Sequence, residues 1–330
     1  MKAIIYTQYG PPEVLHLADL PKPTPQADQV LVRVRATSVN FGDLLARNYK
    51  AVTPRSFNML MLFWFFAKLY FGFDKPKHGV LGSEFAGEIE AVGSAVKRFK
   101  VGDQVFGYNG QSMGAYAEYL CLPENAVLAP KPANLSFEEA AVTPYGAVMA
   151  LHLFPKMAIL PGQKVLIVGA SGSIGSAAVQ LARHFGAEVT GVCAAPRLDY
   201  VRSLGADHVI DYTKDDFTRN GKTYDLIFDV LGKSSFSRCK ASLTPNGRYL
   251  LASFKMKQLL QMLWTSRFSS QKVICVLAPG GLPDLLAVKE LVEAGVLRPV
   301  IDRRFPLEQA AAAHRYLESG LARAKVVITI

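Results

Sequence analysis

The sequence is poor in cysteine, and its few cysteines are scattered. Cys121, Cys193, Cys239 and Cys275 stand 72, 46 and 36 residues apart, which excludes both a disulfide framework and a C-x-x-C metal knuckle. Free thiols in a reducing compartment are expected. The opening MKAIIYTQYG lacks the basic, apolar and small-residue succession of a signal peptide and reads as a strand, so the expected location is the cytoplasm. There is no internal repeat and no low-complexity segment. No basic run carries interleaved aromatics, so the net charge of +10 suits phosphorylated cofactors or an anionic membrane surface, and no nucleic acid is expected. Residues 57–73 (FNMLMLFWFFAKLYFGF) hold one charge, Lys68, but fall short of the roughly 20 apolar residues of a membrane span. They read either as a buried helix or as an apolar flap at a substrate mouth or on a membrane surface.

With 330 residues, half of them apolar, the chain is long for one compact domain and comfortable for two. Residues 165–175 read VLIVGASGSIG. A strand-like run meets a turn made of Gly169, Ala170, Ser171, Gly172, Ser173, Ile174 and Gly175. A helical pattern follows, with Ile174, Ala177, Ala178, Leu181 and Phe185 on one face. The G-x-x-G-x-x-G spacing differs from the usual G-x-G-x-x-G, but the physics is shared: a tight turn, backbone bare enough for a pyrophosphate, and a helix N-terminus aimed at negative charge.

Strand and helix alternate from 161 to 278, with strand candidates at 164–168, 188–193, 208–210, 225–230, 248–252 and 272–277. Six apolar strands with crossovers imply a doubly wound parallel sheet, and the glycine turn follows the first of them. That context makes the turn a dinucleotide site. The second strand ends GVCAAPR (191–197), with no carboxylate where an NAD ribose would need one. Two alanines leave room there, and the Arg197 guanidinium can hold a 2′-phosphate, which favours NADPH over NADH. A solvated arginine at a helix start is the alternative.

Ahead of this region, Pro21, Pro23 and Pro25 forbid regular structure before a half-buried strand at 30–34 (VLVRV). In SVNFGDLLA (38–46), Asp43 is the expected N-cap of a short helix and Asn40 a neutral hydrogen-bonding group at its entry. Glycines 82, 87, 93, 102 and 107 punctuate short strands at 88–92 and 104–106, as in a tightly turning β-barrel. SFEE (136–139) is a capping box, and Pro144-Tyr145-Gly146 interrupts the helical pattern it opens. The tail holds a helix at 307–318 and a strand at 325–330 (KVVITI) that returns to the first domain.

Together these motifs resemble the medium-chain dehydrogenase/reductase superfamily along the whole chain, most closely its zinc-free quinone oxidoreductase, zeta-crystallin-like branch. Zinc members carry G-H-E-x-x-G; this chain has Gly82-Ser83-Glu84-Phe85-Ala86-Gly87, with Gly93 and Val96 at the family spacing. Ser83 stands at the zinc histidine and Asn40 at the zinc cysteine. With two of three catalytic ligands replaced, no metal is expected. The resemblance implies an α/β protein with a GroES-like β-barrel catalytic domain (1–123 with 296–330) and a Rossmann domain (124–295). It sets Arg197 and Tyr212 around the 2′-phosphate. Pro144, Gly146, Val230, Leu231, Ala252 and Ser253 fall beside the nicotinamide.

The expected activity is NADPH-dependent reduction of a quinone or an α,β-unsaturated carbonyl compound. Conjugation spreads the charge left by hydride arrival, so hydrogen-bond donors suffice where a simple ketone would need a Lewis acid. The Asn40 amide is the first candidate donor, with Tyr49 and Tyr145 behind it and Asp43 ordering the loop. Residues 57–73 and 259–264 suggest a lipophilic substrate and allow peripheral membrane contact. The strand at 272–277, last in its sheet, suggests a homodimer. The rival readings are an alcohol dehydrogenase with replaced zinc ligands and a cofactor-binding structural or membrane-associated protein.

Overall fold

The computed structural model describes residues 1–54, 56–57 and 59–330. Strands β1 (Lys2–Ile5) and β2 (His16–Asp19) pair antiparallel. Past the prolines comes β3 (Gln29–Val39), the axis of the first sheet. Helices α1 (Phe41–Arg47) and α2 (Met61–Phe71) follow, then β4 (Glu84–Val92), β5 (Gln104–Tyr108), β6 (Tyr119–Pro123) and β7 (Leu128–Pro130). β7 pairs with β5, so the first sheet runs past residue 123.

Ser136 caps α3 (Phe137–Ala141): its hydroxyl accepts from Glu139 N at 3.2 Å and the Glu139 carboxylate accepts from Ser136 N at 2.9 Å. Pro144-Tyr145-Gly146 does not break a long helix. It starts a second, α4 (Pro144–Met157), because proline at the first helical position lacks only an N–H that would have no intrahelical partner.

The second sheet contains β8 (Lys164–Val168), β9 (Glu188–Cys193), β10 (His208–Asp211), β11 (Tyr224–Asp229), β12 (Leu243–Leu251) and β13 (Lys272–Cys275). All neighbours are parallel, in the order β10-β9-β8-β11-β12-β13. The crossovers carry α5 (Ser173–His184), α6 (Leu198–Ser203), α7 (Phe236–Cys239) and α8 (Met256–Phe268). The winding reverses between β8 and β11, which opens a crevice at the carboxyl ends of the central strands. β13 is the edge strand, as its place in the sequence predicts.

After α9 (Leu282–Glu293), the chain returns through β14 (Ile301–Pro306), α10 (Ala310–Glu318) and β15 (Lys325–Thr329). β15 pairs antiparallel with β3, which closes the first sheet in the order β14-β15-β3-β4-β5-β7, with β6 on β3. Ala36, Ala86 and Phe106 of this sheet and Val165, Ile167 and Phe228 of the other belong to one buried cluster, bridged by Ala147, Val148 and Leu153 of α4. The two halves therefore share a core rather than a flexible linker.

The apolar segment at 57–73 contains Asn58, outside the described residues. Its helix α2 is neither buried nor membrane-spanning: Lys68 and Phe71 face inward, while Met61, Leu62, Phe65, Phe66 and Leu69 are exposed. Among the described residues no helix is long and apolar enough to cross a membrane.

Candidate active site

A cavity of about 1450 Å³ lies at the reversal of the second sheet. That exceeds the roughly 300–1,000 Å³ of most ligand pockets, as a site for both a dinucleotide and a substrate must. The turn after β8 forms its floor. Gly169 has φ +86°, in the left-handed region, and its N–H and that of Ala170 both donate to Val192 O at 3.1 Å. A Cβ on Gly175 would stand 2.1 Å from Gly169 O, so only glycine lets α5 start this close to the turn. A Cβ on Gly146 would meet Ser173 O at 2.2 Å, so α4 backs directly against the start of α5.

Gly169, Gly172, Ser173 and Ile174 line the cavity, while Ala170 and Gly175 are buried behind them. Ser171, half-buried in the turn, is not a wall residue. Pro144 and Gly146 are also buried, supporting the wall that Tyr145 reaches. The bare backbone and the α5 N-terminus form a cradle that a side chain would fill, which fits a dinucleotide pyrophosphate.

The opposite wall is the loop after β11. Asp229, fully buried, accepts from Leu231 N at 3.0 Å, from Gly232 N and Ser234 N at 2.8 Å each, and from Tyr249 Oη at 3.2 Å. That holds Val230 and Leu231 against the cavity, next to Ala252 and Ser253 from the end of β12. Gln111, Lys233 and Lys255, none of them singled out in the sequence, also line it, as does Tyr70 from the apolar segment expected at a substrate mouth. The signal available for the two lysines was their place just after the expected nicotinamide segments. Phe63, Phe66 and Leu69 of α2 cover the mouth. Residues 259–264 are not on the wall; Leu259 and Met262 pack against the second sheet instead.

Two of the three expected donors, Asn40 and Tyr49, stand away from the cavity wall, and Asp43 orders the loop beside Asn40. Asn40, rather than Asp43, is the N-cap of α1: its Oδ1 accepts from Gly42 N at 2.8 Å and Asp43 N at 3.4 Å. Its Nδ2 donates to Ser83 Oγ at 2.8 Å and Glu84 Oε2 at 3.2 Å, so the amide is used inside the protein, 4% exposed. Asp43 completes a reciprocal cap, accepting from Asn40 N at 2.9 Å and from Gly82 N at 3.1 Å. Burial raises its carboxyl to about 7. Tyr49 is wholly buried beneath α2, with its hydroxyl 3.4 Å from Trp64 O and no place on the cavity wall.

Tyr145 alone of the four stands on the wall, where burial raises its phenol to about 12 and keeps it protonated. Its backbone N donates to Glu84 Oε1 at 2.7 Å. Glu84, buried among Ser38, Asn40 and Tyr145, ties both domains together; burial raises its carboxyl, and the nearby Lys325 charge works the other way. Its sequence signal was the position after Ser83.

Arg197 and Tyr212 follow the carboxyl ends of neighbouring strands β9 and β10, away from the cavity wall. The Arg197 side chain donates to Ala322 O at 2.9 Å and Gly320 O at 3.0 Å, tying the loop before β15, while Tyr212 is 63% exposed. Among the described residues, no three His, Cys, Asp or Glu side chains cluster to hold a metal ion. The hydrogen-bonded Asn40 and Ser83 do not fit zinc, which takes thiolate, imidazole or carboxylate ligands.

A phosphate-cradling turn on a parallel sheet, facing a β-domain across one cavity, defines a two-domain, dinucleotide-dependent oxidoreductase. Residues 26–133 match the alcohol dehydrogenase GroES-like domain family, and residues 204–328 a family described as zinc-binding dehydrogenase. The chain is 32% identical to the 2-methylene-furan-3-one reductase of Solanum lycopersicum, over 99% of this chain and 79% of that protein. It is 31% identical to the chloroplastic NADPH-dependent alkenal/one oxidoreductase of Arabidopsis thaliana, with the same 99% and 79% coverage. The solved quinone oxidoreductase of Coxiella burnetii superposes with a TM-score of 0.84 at 29% identity, covering 100% of this chain and 99% of that one. The chain belongs to the medium-chain dehydrogenase/reductase superfamily, on its quinone oxidoreductase branch.

Proposed function

We propose that this protein reduces quinones or α,β-unsaturated carbonyl compounds with NADPH, without a metal ion. The observation that carries the reading is one cavity that brings together the glycine turn and apolar α2 side chains at its mouth, with Asn40 and Ser83 at the positions that the family resemblance gives to zinc ligands. The names of the two plant relatives and of the Coxiella burnetii structure support the same substrate class.

NADPH, when bound on the turn, supplies the hydride. The backbone at Gly172 admits the pyrophosphate, and the α5 N-terminus favours its charge. Tyr145, neutral at physiological pH, offers its hydroxyl proton to the substrate oxygen as negative charge develops there. Phe63, Phe66 and Leu69 exclude water and favour a lipophilic substrate. In this reading Arg197 and Tyr212 meet the 2′-phosphate, the domains divide just past β7 rather than at residue 123 and again near residue 296, and the chain pairs as a cytoplasmic homodimer through the β13 edge.

The test is a substrate panel with NADPH and NADH side by side, covering phenanthrenequinone, an alkenal and a simple ketone. Turnover of the first two with NADPH, and little of the ketone, is expected. An Arg197→Ala variant should lose part of the NADPH preference. Equal turnover of the ketone, or stoichiometric zinc in protein purified without chelator, would overturn the reading. Light scattering at micromolar concentration decides the dimer.

A further inference from the structure

We infer that the exposed apolar faces of α2 and α8 dock on an anionic lipid bilayer, so that the cavity mouth opens toward the hydrocarbon. On α2, Met61, Leu62, Phe65, Phe66 and Leu69 share one face at helical spacing and are 41–71% exposed. On α8, Met256, Leu260, Leu263 and Arg267 recur at spacings of four, three and four, with Trp264 and Phe268 beside them. These five apolar side chains are 53–70% exposed. The two helices rest on one buried cluster: Leu60, just before α2, packs against it, as do Leu259 and Met262 of α8. Phe66 and Leu69 of α2 also line the cavity, as does Lys255 just before α8. The α2 part of the patch is therefore on the rim of the site, and α8 begins one residue after Lys255.

Apolar exposure on this scale calls for a partner, and charge identifies it. No Asp or Glu occurs between Asp229 and Asp284, a stretch that contains eight Lys and Arg residues. Lys257 and Arg267 are exposed on α8 itself. Around α2, the stretch from Asp43 to Asp74 has no carboxylate between its ends, and Asp74 pairs with Lys50 at 3.4 Å. A second copy of this face would have to supply carboxylates to meet these cations, and the patch has almost none. An anionic headgroup layer supplies the complementary charge, and the acyl boundary takes Trp, Phe and Leu. Of the two tryptophans, Trp264 on α8 faces outward, 53% exposed, while Trp64 on α2 is half-buried and its Nε1 donates to Val52 O at 2.8 Å. A quinone or enone dissolved in the bilayer would then reach the cavity sideways. Docking rests on the surface alone; lateral delivery rests on the reductase reading above.

The full-length protein is floated with vesicles of phosphatidylcholine alone or mixed with phosphatidylserine, at low and high salt, and Trp264 emission is followed in a Trp64→Phe background. Flotation with the anionic vesicles only, its loss at high salt by screening, and a blue shift are expected. Two variants are compared, Leu260→Glu with Leu263→Glu, and Lys257→Glu with Arg267→Glu. None of these residues lines the cavity, so both variants should keep NADPH-dependent turnover of a water-soluble enone. Each should lose vesicle affinity by at least about tenfold. Parent protein that ignores anionic vesicles, or variants that float as the parent does, would overturn the inference. So would a parent dimer that ignores vesicles and becomes monomeric in the leucine variant, since a second copy would then cover the face. If the parent floats but turns over no enone or quinone, docking stands and the reductase reading fails.

Discussion

Asn40 Nδ2 donates to Ser83 Oγ across 2.8 Å, so the two residues that the family resemblance sets at zinc-ligand positions bind each other. The same amide reaches Glu84 Oε2 at 3.2 Å while its oxygen caps α1. Asn40→Asp keeps the capping oxygen, removes both donated hydrogens and sets a second carboxylate beside a buried one. The expected loss is about 1–3 kcal/mol of stability in urea denaturation, with KM for NADPH unchanged. A variant of full stability whose kcat collapses would place Asn40 in the chemistry.

Tyr145→Phe retains the ring that packs 5.7 Å from Tyr108 and removes only the hydroxyl. If that hydroxyl is the proton donor, kcat should fall by about 100-fold at constant KM for NADPH. The loss should be smaller for quinones, whose reduced oxygens are weaker bases than an enolate. Unchanged kcat on both substrates would move the donor to another wall residue or to water.

Gly172→Ala separates the cradle from the fold. Its added Cβ meets nothing closer than Gly169 O at 3.4 Å, and its φ of −75° suits alanine, so thermal stability should hold. The methyl instead occupies the approach of the pyrophosphate. NADPH Kd should rise by about tenfold or more, a loss of about 1.4 kcal/mol. Gly175→Ala, only 2.1 Å from Gly169 O, should fail at the level of folding, which circular dichroism reads directly.

Asp43 and His314 give opposite pH dependences. Burial raises the Asp43 carboxyl from 3.8 to about 7, so the stability it contributes is full below its unfolded value and lost as pH climbs through about 7. His314 is pushed down to about 3 by burial and then by the Arg47 charge, so its contribution is full above 6.5 and lost as pH falls toward 3. The parent curve sums the two and hides each. Asp43→Asn isolates the first: from about pH 4 to about pH 8, the difference in unfolding free energy should shift steadily in favour of the variant. A flat difference would mean that the carboxyl is ionised throughout.

Most of the fold was legible because it depends on local chemistry. The six strands of the second sheet, the capping box at Ser136 and the turn at Gly169 are signalled by apolar runs, reciprocal caps and glycine spacing within a few residues. The cradle was legible for the same reason. The donors were less so. Asn40 and Tyr49 are polar residues near expected loops, and nothing within a few residues tells whether such a group faces a cavity or a core. Pro144 looked like an interruption because the N1 position of a new helix and a break in an old one share the same residue.

By itself, the sequence determined the parallel sheet, the glycine-rich turn after its first strand and the presence of Asn and Ser at positions 40 and 83, because each is a matter of residue type and short-range spacing. Tertiary structure decided where the side chains point. It turned the Asn40 amide inward onto Ser83 and buried Tyr49 beneath α2. It tied Arg197 to the loop at 320–322 and left Tyr145 on the cavity wall. It also set Leu60, just before α2, and Leu259 of α8 on one buried cluster, although they stand almost two hundred residues apart. The cause is the long-range closure of β15 onto β3 and the core shared by the two sheets, which fix directions that no local pattern encodes.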